Sequence, residues 1–466
     1  MSDAGRIPAV AGAPRTVEFL AAGLGDRSYL VAGGGEALVV DPQRDVAAYL
    51  EAAEAHGVRI RHVLETHVHN DYASGATELA RRAGATVVLP AGSDVRFGHR
   101  AVADDDGLDV GPLRVRALHT PGHTPEHTSY LVTSVEAPAA PGLLFSGGSL
   151  LAGSAGRSDL LGPAWTDRLV ADQFASLRRL ATLPGATRLH PTHGAGSFCT
   201  ASAAGDGGVT TIDQERASNP ALADPDEAAF RARALAGLLR YPAYYAHMAP
   251  LNRAGPPPLG AVVDPPPVTV DQVAAMQAAG VVIVDGRPRE RFAAGHVPGS
   301  LNVELDETFA TYVGWLVPWG RPLVLVLDDD QDGREAALQL ARIGWDAVRG
   351  RLRGVDSWEA AGRPLGRFGR ATLADLRRIL DGPADARPVI LDVRQPDEWA
   401  TGTIPGSVLR FVADLANPAA WLPAGREVWT ICAGGYRAAM AASLLAADGY
   451  RVLAVDRGVE DFLAGR

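Results

Sequence analysis

A stretch of roughly twenty residues occurs twice in the second half of this chain, and that duplication restricts its possible folds more than any other feature. Val282-Ile-Val-Asp-Gly-Arg287 followed by Glu290-Arg-Phe-Ala-Ala-Gly-His-Val-Pro-Gly-Ser300 parallels Ile390-Leu-Asp-Val-Arg394 followed by Glu398-Trp-Ala-Thr-Gly-Thr-Ile-Pro-Gly-Ser407. The shared order is apolar strand, Asp, Arg, acidic residue, Gly, apolar residue and Pro-Gly-Ser. At an offset of roughly 105 residues it predicts two tandem homologous domains. Each copy continues with a strand and a helix, Leu323 to Leu327 before Arg334 to Ile343 and Glu427 to Ile431 before Arg437 to Ala447. Gly344 and Gly449 stand where helix C-caps are expected. Two Pro-rich runs, Ala254-Gly-Pro-Pro-Pro-Leu-Gly260 and Asp264-Pro-Pro-Pro267, precede the pair and read as a linker over 256–267.

Upstream, β-type runs such as Ser28 to Ala32 and Ala37 to Val40 alternate with helix-patterned stretches such as Ala47 to Ala55. Thr66-His-Val-His-Asn-Asp-Tyr72 then puts His67, His69 and Asp71 on one short segment after an apolar run. Imidazole is the commonest protein metal ligand, and neighbours on one loop reach a shared ion with little closure cost. Two later segments offer His beside Gly or Pro: His123 in Thr120-Pro-Gly-His-Thr-Pro-Glu-His127 and His193 in His190-Pro-Thr-His-Gly-Ala-Gly196. The pattern predicts a metal site at strand ends, where layered α/β folds place their chemistry.

Composition excludes several classes. With 47% hydrophobic and 21% charged residues the 466-residue chain is globular, and its length suggests about three domains. A net charge of -10 without basic clusters gives nucleic acid and membrane surfaces nothing to bind. Met1 to Thr16 lacks the basic start and apolar core of a signal peptide, so a cytoplasmic protein is expected. Cys199 and Cys432 are the only cysteines, which leaves no disulfide framework and makes a thiol role the natural one. A homo-oligomer is compatible with this composition.

Ile431-Cys432-Ala433-Gly434-Gly435-Tyr436-Arg437 joins an apolar strand to a helix. Backbone N–H groups of such a loop, with the positive end of the helix, favour a thiolate or persulfide. Residues 369–466 resemble a rhodanese domain through this Cys-x-x-Gly-x-Arg loop and through Asp392-Val-Arg394 and Pro405-Gly-Ser407. The resemblance implies sulfane-sulfur transfer through a persulfide on Cys432, with Ala433, Gly434, Gly435, Tyr436 and Arg437 as its anion cradle. Residues 268–365 resemble the same fold, but Leu327-Asp-Asp-Asp-Gln-Asp-Gly-Arg334 carries no cysteine. That copy is read as degenerate, a spacer or docking surface, with a metal or cation site in its acidic loop as the alternative.

Residues 14–255 resemble the metallo-β-lactamase fold, an αββα sandwich, through the three His segments and Gly156-Arg-Ser-Asp-Leu160. Fused to rhodanese domains, and with Tyr241-Pro-Ala-Tyr-Tyr245 and Asn252, the chain looks most like the persulfide dioxygenase branch. That resemblance implies O2-dependent oxidation of a low-molecular-weight thiol persulfide, of glutathione or coenzyme A type, to sulfite at one Fe(II). The branch holds iron by two His, here His67 and His123, and an Asp from the segment Leu144-Phe-Ser-Gly-Gly-Ser149, where this chain has Gly148. Three readings follow: a neutral site of His67, His69 and His123 that takes Fe(II) or Zn(II); a shell completed by Asp71 or water; or a metal-poor binding module. His193 is a further ligand candidate. Tyr72 is read mainly as packing, and Cys199 as inert. The enzymatic alternative is thioester hydrolysis of the glyoxalase II kind; the non-enzymatic one is a sulfur-relay protein in which only Cys432 reacts.

Overall fold

The computed structural model describes residues 12–201, 209–384, 387–423 and 425–465; the first eleven residues of the segment read for targeting signals lie outside that range. Two compact units result, Met1–Ala261 with Ala341–Gly344, and Val262–Leu340 with Trp345–Arg466. Among the described residues no helix is long and apolar enough to cross a membrane.

The first unit is an αββα sandwich. One six-stranded sheet runs in chain order, Arg15–Ala21, Asp26–Gly33, Glu36–Val40, Arg59–Leu64, Thr86–Pro90 and Arg100–Val102. Its first three strands pair antiparallel and the rest parallel. Opposite it, Thr210–Thr211, Arg188–Pro191, Leu143–Gly147, Thr128–Ser134, Leu113–His119 and Gly107–Val110 form the second sheet. The strand Glu36–Val40 shows why its sequence is apolar on both faces. Leu38 and Val40 join Leu64, Val115 and Phe145 between the sheets, while Ala37 and Val39 pack outward with Tyr49 and Leu79 of the helices Ala47–Ala55 and Ala76–Ala83. The second sheet's outer face is covered by Pro163–Leu180 and Glu227–Ala236 through Leu177, Leu180 and Phe230. The ligand segments fall where strands Arg59–Leu64, Leu113–His119 and Arg188–Pro191 end.

The second unit holds two α/β domains with wholly parallel central sheets. The first orders Leu301–Asn302, Val282–Asp285, Leu323–Leu327 and Val348–Arg353; the second orders Gly369–Ala371, Val452–Gly458, Val428–Cys432, Val389–Asp392 and Val408–Leu409. Residues 256–266, within the Pro-rich runs, contain no helix or strand. Gly344 and Gly449 both take positive φ just past the helices Gly333–Arg342 and Tyr436–Ala447.

The repeated motif has a common physical cause. Arg394 forks its Nε and Nη2 onto Asp392 at 3.0 and 2.7 Å and donates from Nη2 to the Gly402 carbonyl at 2.7 Å. Arg287 does the same with Asp285, at 3.0 and 2.7 Å, and with the Gly295 carbonyl at 2.8 Å. In each copy a buried ion pair staples the end of a strand to the turn before Pro-Gly-Ser, which explains the joint recurrence of Asp, Arg and Gly. Asp392→Asn would leave Arg394, 1% exposed, without its countercharge. A loss of about 3–5 kcal/mol is expected, and an unchanged denaturation midpoint for this unit would refute the staple.

Candidate functional site

Three imidazoles converge in the first unit. One ring nitrogen each of His67, His123 and His193 lies within 4.8 Å of the others, and all three residues are buried. Their outer nitrogens are fixed by acceptors. His123 Nδ1 is 2.8 Å from the Arg157 carbonyl, which can only accept, so the proton sits on Nδ1. The Thr66 hydroxyl gives its proton to Asp41 at 2.8 Å and therefore accepts from His67 Nδ1 at 2.9 Å. His193 Nδ1 lies between the carboxylates of Asp26 at 2.9 Å and Asp71 at 3.2 Å. Each ring thus turns Nε2 inward, an arrangement in which outer partners set the tautomer of metal-binding imidazoles.

The inner atoms fit a cation. His123 Nε2 is buried without a hydrogen-bond partner, and His67 Nε2 faces His193 Nε2 at 3.4 Å. Two nitrogens about 2.1 Å from one tetrahedral ion would stand about 3.4 Å apart. Burial, followed by the neighbouring imidazoles, holds the His67 pKa well below its ordinary value; burial and His193 bring His123 down to about 3. Both rings are therefore neutral, the form in which imidazole binds a metal. Burial opposes charge on His193 as well, but Asp71 and Asp26 overcome it and lift the pKa to about 9, so metal uptake must displace a proton there.

The set that converges differs from the expected His67, His69 and His123. His69 Nε2 is drawn to Glu65 Oε2 at 2.8 Å and the Tyr72 hydroxyl at 2.9 Å, with Asp41 Oδ1 at 3.3 Å. Burial disfavours its charge, yet these carboxylates hold its pKa well above normal. His69 groups instead with Asp71 and His193, and its Nδ1 has no hydrogen-bond partner. Tyr72 stacks on His69 at 4.3 Å and donates to the Asp41 carbonyl at 3.1 Å, so its hydroxyl serves the packing role. Asn252 clasps the whole loop, donating to the carbonyls of His69 and Tyr72 and accepting from Ser74 N–H.

Gly148 is more than a missing carboxylate. A Cβ there would lie 2.3 Å from His123 Cδ2 and 2.7 Å from Cγ, so the His123 ring itself fills the space. The Gly148 N–H donates to His127 Nε2 at 3.0 Å, which removes His127 from the ligand candidates. Cys199 is buried close to Asp71; burial, then Asp71 and Asp26, push its pKa well above normal and keep it a thiol. Outer partners such as Asp26 escaped sequence reasoning, since no motif marks them. Arg157 had a visible signal in Gly-Arg-Ser-Asp: it pairs with Asp159 at 2.6 Å and lies over the Tyr241 ring at 4.7 Å.

The second site is built at the end of the strand Val428–Cys432. Cys432 is 1% exposed, and its Sγ accepts from the Gly435 N–H at 3.1 Å. Gly435 needs its left-handed φ of 87°, and a Cβ there would meet the Asp456 carbonyl at 2.9 Å. Ala433 and Gly434 complete the loop, and Tyr436 begins the following helix. Arg437 is not a free charge: both Nη atoms bind the Glu398 carboxylate, Nη2 at 2.7 Å, so the pair fixes the mouth of the loop. In the Cys-less copy, Gln331 closes the corresponding loop by donating to the Gly286 carbonyl and accepting from Asp328 N–H. That loop joins no group of converging metal donors among the described residues.

Residues 24–193 match the family model of the metallo-beta-lactamase superfamily, and residues 269–361 and 372–464 each match that of the rhodanese-like domain. A hydroxyacylglutathione hydrolase of Methylobacillus flagellatus is 35% identical over 161 residues, 34% of this chain and 58% of that protein. A probable metallo-hydrolase of Burkholderia pseudomallei is 30% identical over 201 residues, 36% of this chain and 67% of its own length. The crystal structure of a metallo-beta-lactamase from Staphylococcus aureus subsp. aureus COL superposes with a TM-score of 0.65 at 28% identity, covering 73% of this chain and 99% of that one. The chain spans little more than half the length of the first of these relatives.

Proposed function

Since the chain belongs to the metallo-β-lactamase superfamily through its first unit and carries two rhodanese-like domains, we propose that it is a cytoplasmic enzyme of reduced-sulfur metabolism that transfers sulfane sulfur through Cys432 and oxidises a low-molecular-weight thiol persulfide at the His centre. The observation that carries this reading is the pairing, in one chain, of a cysteine whose sulfur takes a backbone N–H with three buried imidazoles whose inner nitrogens converge.

Transfer needs only this chain's residues. The Cys432 thiolate attacks the outer sulfur of a donor, forming a new S–S bond as the donor's S–S bond breaks and its electron pair leaves with sulfite or a thiolate. An acceptor thiolate then takes that sulfur and restores Cys432. The Gly435 N–H stabilises negative charge on Sγ in both steps.

For oxidation the balance is RSSH + O2 + H2O to RSH, bisulfite and one proton. His67, His123 and His193 would hold one Fe(II), which supplies open positions for a sulfur ligand and O2 when bound. Asp26 and Asp71 keep the His193 Nδ1 proton outward, Thr66 and the Arg157 carbonyl do so for the other two rings, and Asn252 fixes the loop. The two-ion hydrolase arrangement is disfavoured because Tyr72 stands where a second-site His would be needed and the His123 ring fills the space beside Gly148. His193→Ala is expected to weaken metal binding on the order of a hundredfold. His69→Ala should weaken it less, as measured by chelator competition; the reverse order would return His69 to the ligand set.

Two observations favour a second reading. The 3.4 Å Nε2 separation suits a tetrahedral ion such as Zn(II), and a relative named hydroxyacylglutathione hydrolase shares this domain. Hydrolysis of a glutathione thioester by the purified protein, without O2 uptake on persulfide, would select it.

A further inference from the structure

The Cys432 loop is not enclosed by its own domain alone. Tyr436 directs its hydroxyl to the Glu304 carbonyl at 3.1 Å and Asp306 Oδ1 at 3.2 Å, and Thr308 Oγ1 donates to it at 3.4 Å. Tyr312 packs edge-on against the Tyr436 ring at 5.3 Å, and Asn302 N–H donates to Ser443 Oγ at 3.1 Å. All these partners belong to the Cys-less domain.

Arg289 of that domain begins the helix Arg289–Ala294, which packs on the helix Tyr436–Ala447 leading away from the loop. Its Nη1 donates to Glu304 Oε1 at 2.5 Å, beside the carbonyl that receives Tyr436. Its Nε is buried without a hydrogen-bond partner, the Glu290 carboxylate standing 3.6 Å away. Burial opposes the Arg289 charge, but Glu304 first, then Glu290 and Cys432, hold its pKa above the ordinary value. Arg437, by contrast, has both Nη atoms on Glu398.

We propose that the Cys-less domain is the anion-recognition wall of the Cys432 site, with Arg289 binding the oxyanion group of a thiosulfate-type sulfur donor. The inference rests on Cys432 being the sulfur carrier. Cys432 attacks the outer sulfur, the donor's S–S bond breaks, and the electron pair leaves on sulfite, whose oxygens Arg289 holds. The missing cysteine is then compatible with a working role, because recognition needs a cation at this wall and not a second nucleophile.

The test is the rate at which the full-length protein gains one sulfur on Cys432, followed by mass spectrometry, with thiosulfate and with methanethiosulfonate, in which a methyl replaces one charged oxygen. Arg289→Gln should slow thiosulfate loading about tenfold and methanethiosulfonate loading about threefold or less, and should flatten the salt dependence of the thiosulfate reaction. Arg289→Lys should recover part of the thiosulfate rate. Equal slowing with both donors, or no slowing with either, overturns the assignment while loading of the wild-type protein upholds Cys432. Failure of the wild-type protein to load from both donors removes the Cys432 reading and this one with it.

Discussion

Cys432→Ser is expected to abolish sulfur transfer, leaving at most about a thousandth of the wild-type rate, and to leave the metal content of the first unit unchanged. Sulfur is needed because a serine hydroxyl neither ionises near neutral pH nor forms a stable bond to sulfane sulfur. The fold should survive, since Ser is close in size and its oxygen can take the Gly435 N–H now held by Sγ. A thiosulfate-to-thiol transfer assay beside a thermal melt separates these effects. Transfer above a tenth of wild type would mean that another nucleophile carries the sulfur; Cys199, a buried thiol with its pKa driven up, is poorly suited to that.

The second large effect runs against chemical intuition. Gly148→Asp introduces a carboxylate at the position where the persulfide dioxygenase resemblance expects one, yet it should weaken metal binding and destabilise the first unit by about 1–3 kcal/mol. Any Cβ at 148 falls 2.3 Å from His123 Cδ2. Relief requires His123 to rotate, which breaks its Nδ1–H bond to the Arg157 carbonyl and moves Nε2 away from His67 and His193. Gly156 allows no retreat from the other side, because a Cβ on it would already lie 1.8 Å from the Gly148 carbonyl. Metal stoichiometry and a denaturation curve for the variant check this. Tighter metal binding with undiminished stability would show that the carboxylate site was merely vacated and not rebuilt around His123.

The parts of this molecule legible in its sequence are those set by local periodicity or by a duplicated motif. The Asp-x-Arg staple recurs with its Gly at matching spacing, so both parallel-sheet domains could be read from one alignment of the chain with itself. His67, His69 and His123 stood out because they sit on loops bounded by Gly, Pro and apolar strands. The direction in which each ring turns was not legible. His69 is drawn away by Asp41 and Glu65, and His193 is oriented by Asp26 and Asp71; Asp26 lies 167 residues from it in the chain. Such choices depend on tertiary approach and on the balance of buried charges, which spacing does not encode. Arg289 carries no signal in the sequence: its domain lacks the cysteine, and the contact between its helix Arg289–Ala294 and Tyr436–Ala447 is tertiary.

The most direct test of the central claim is O2 consumption and sulfite formation by anaerobically purified protein supplied with glutathione persulfide, with metal content determined on the same sample. About one iron per chain and about one O2 consumed for each sulfite formed are expected, both lost in His193→Ala. Zinc-loaded or metal-free protein that consumes no O2 with this substrate, even after reconstitution with Fe(II), would contradict it and leave Cys432 as the chain's sulfur chemistry.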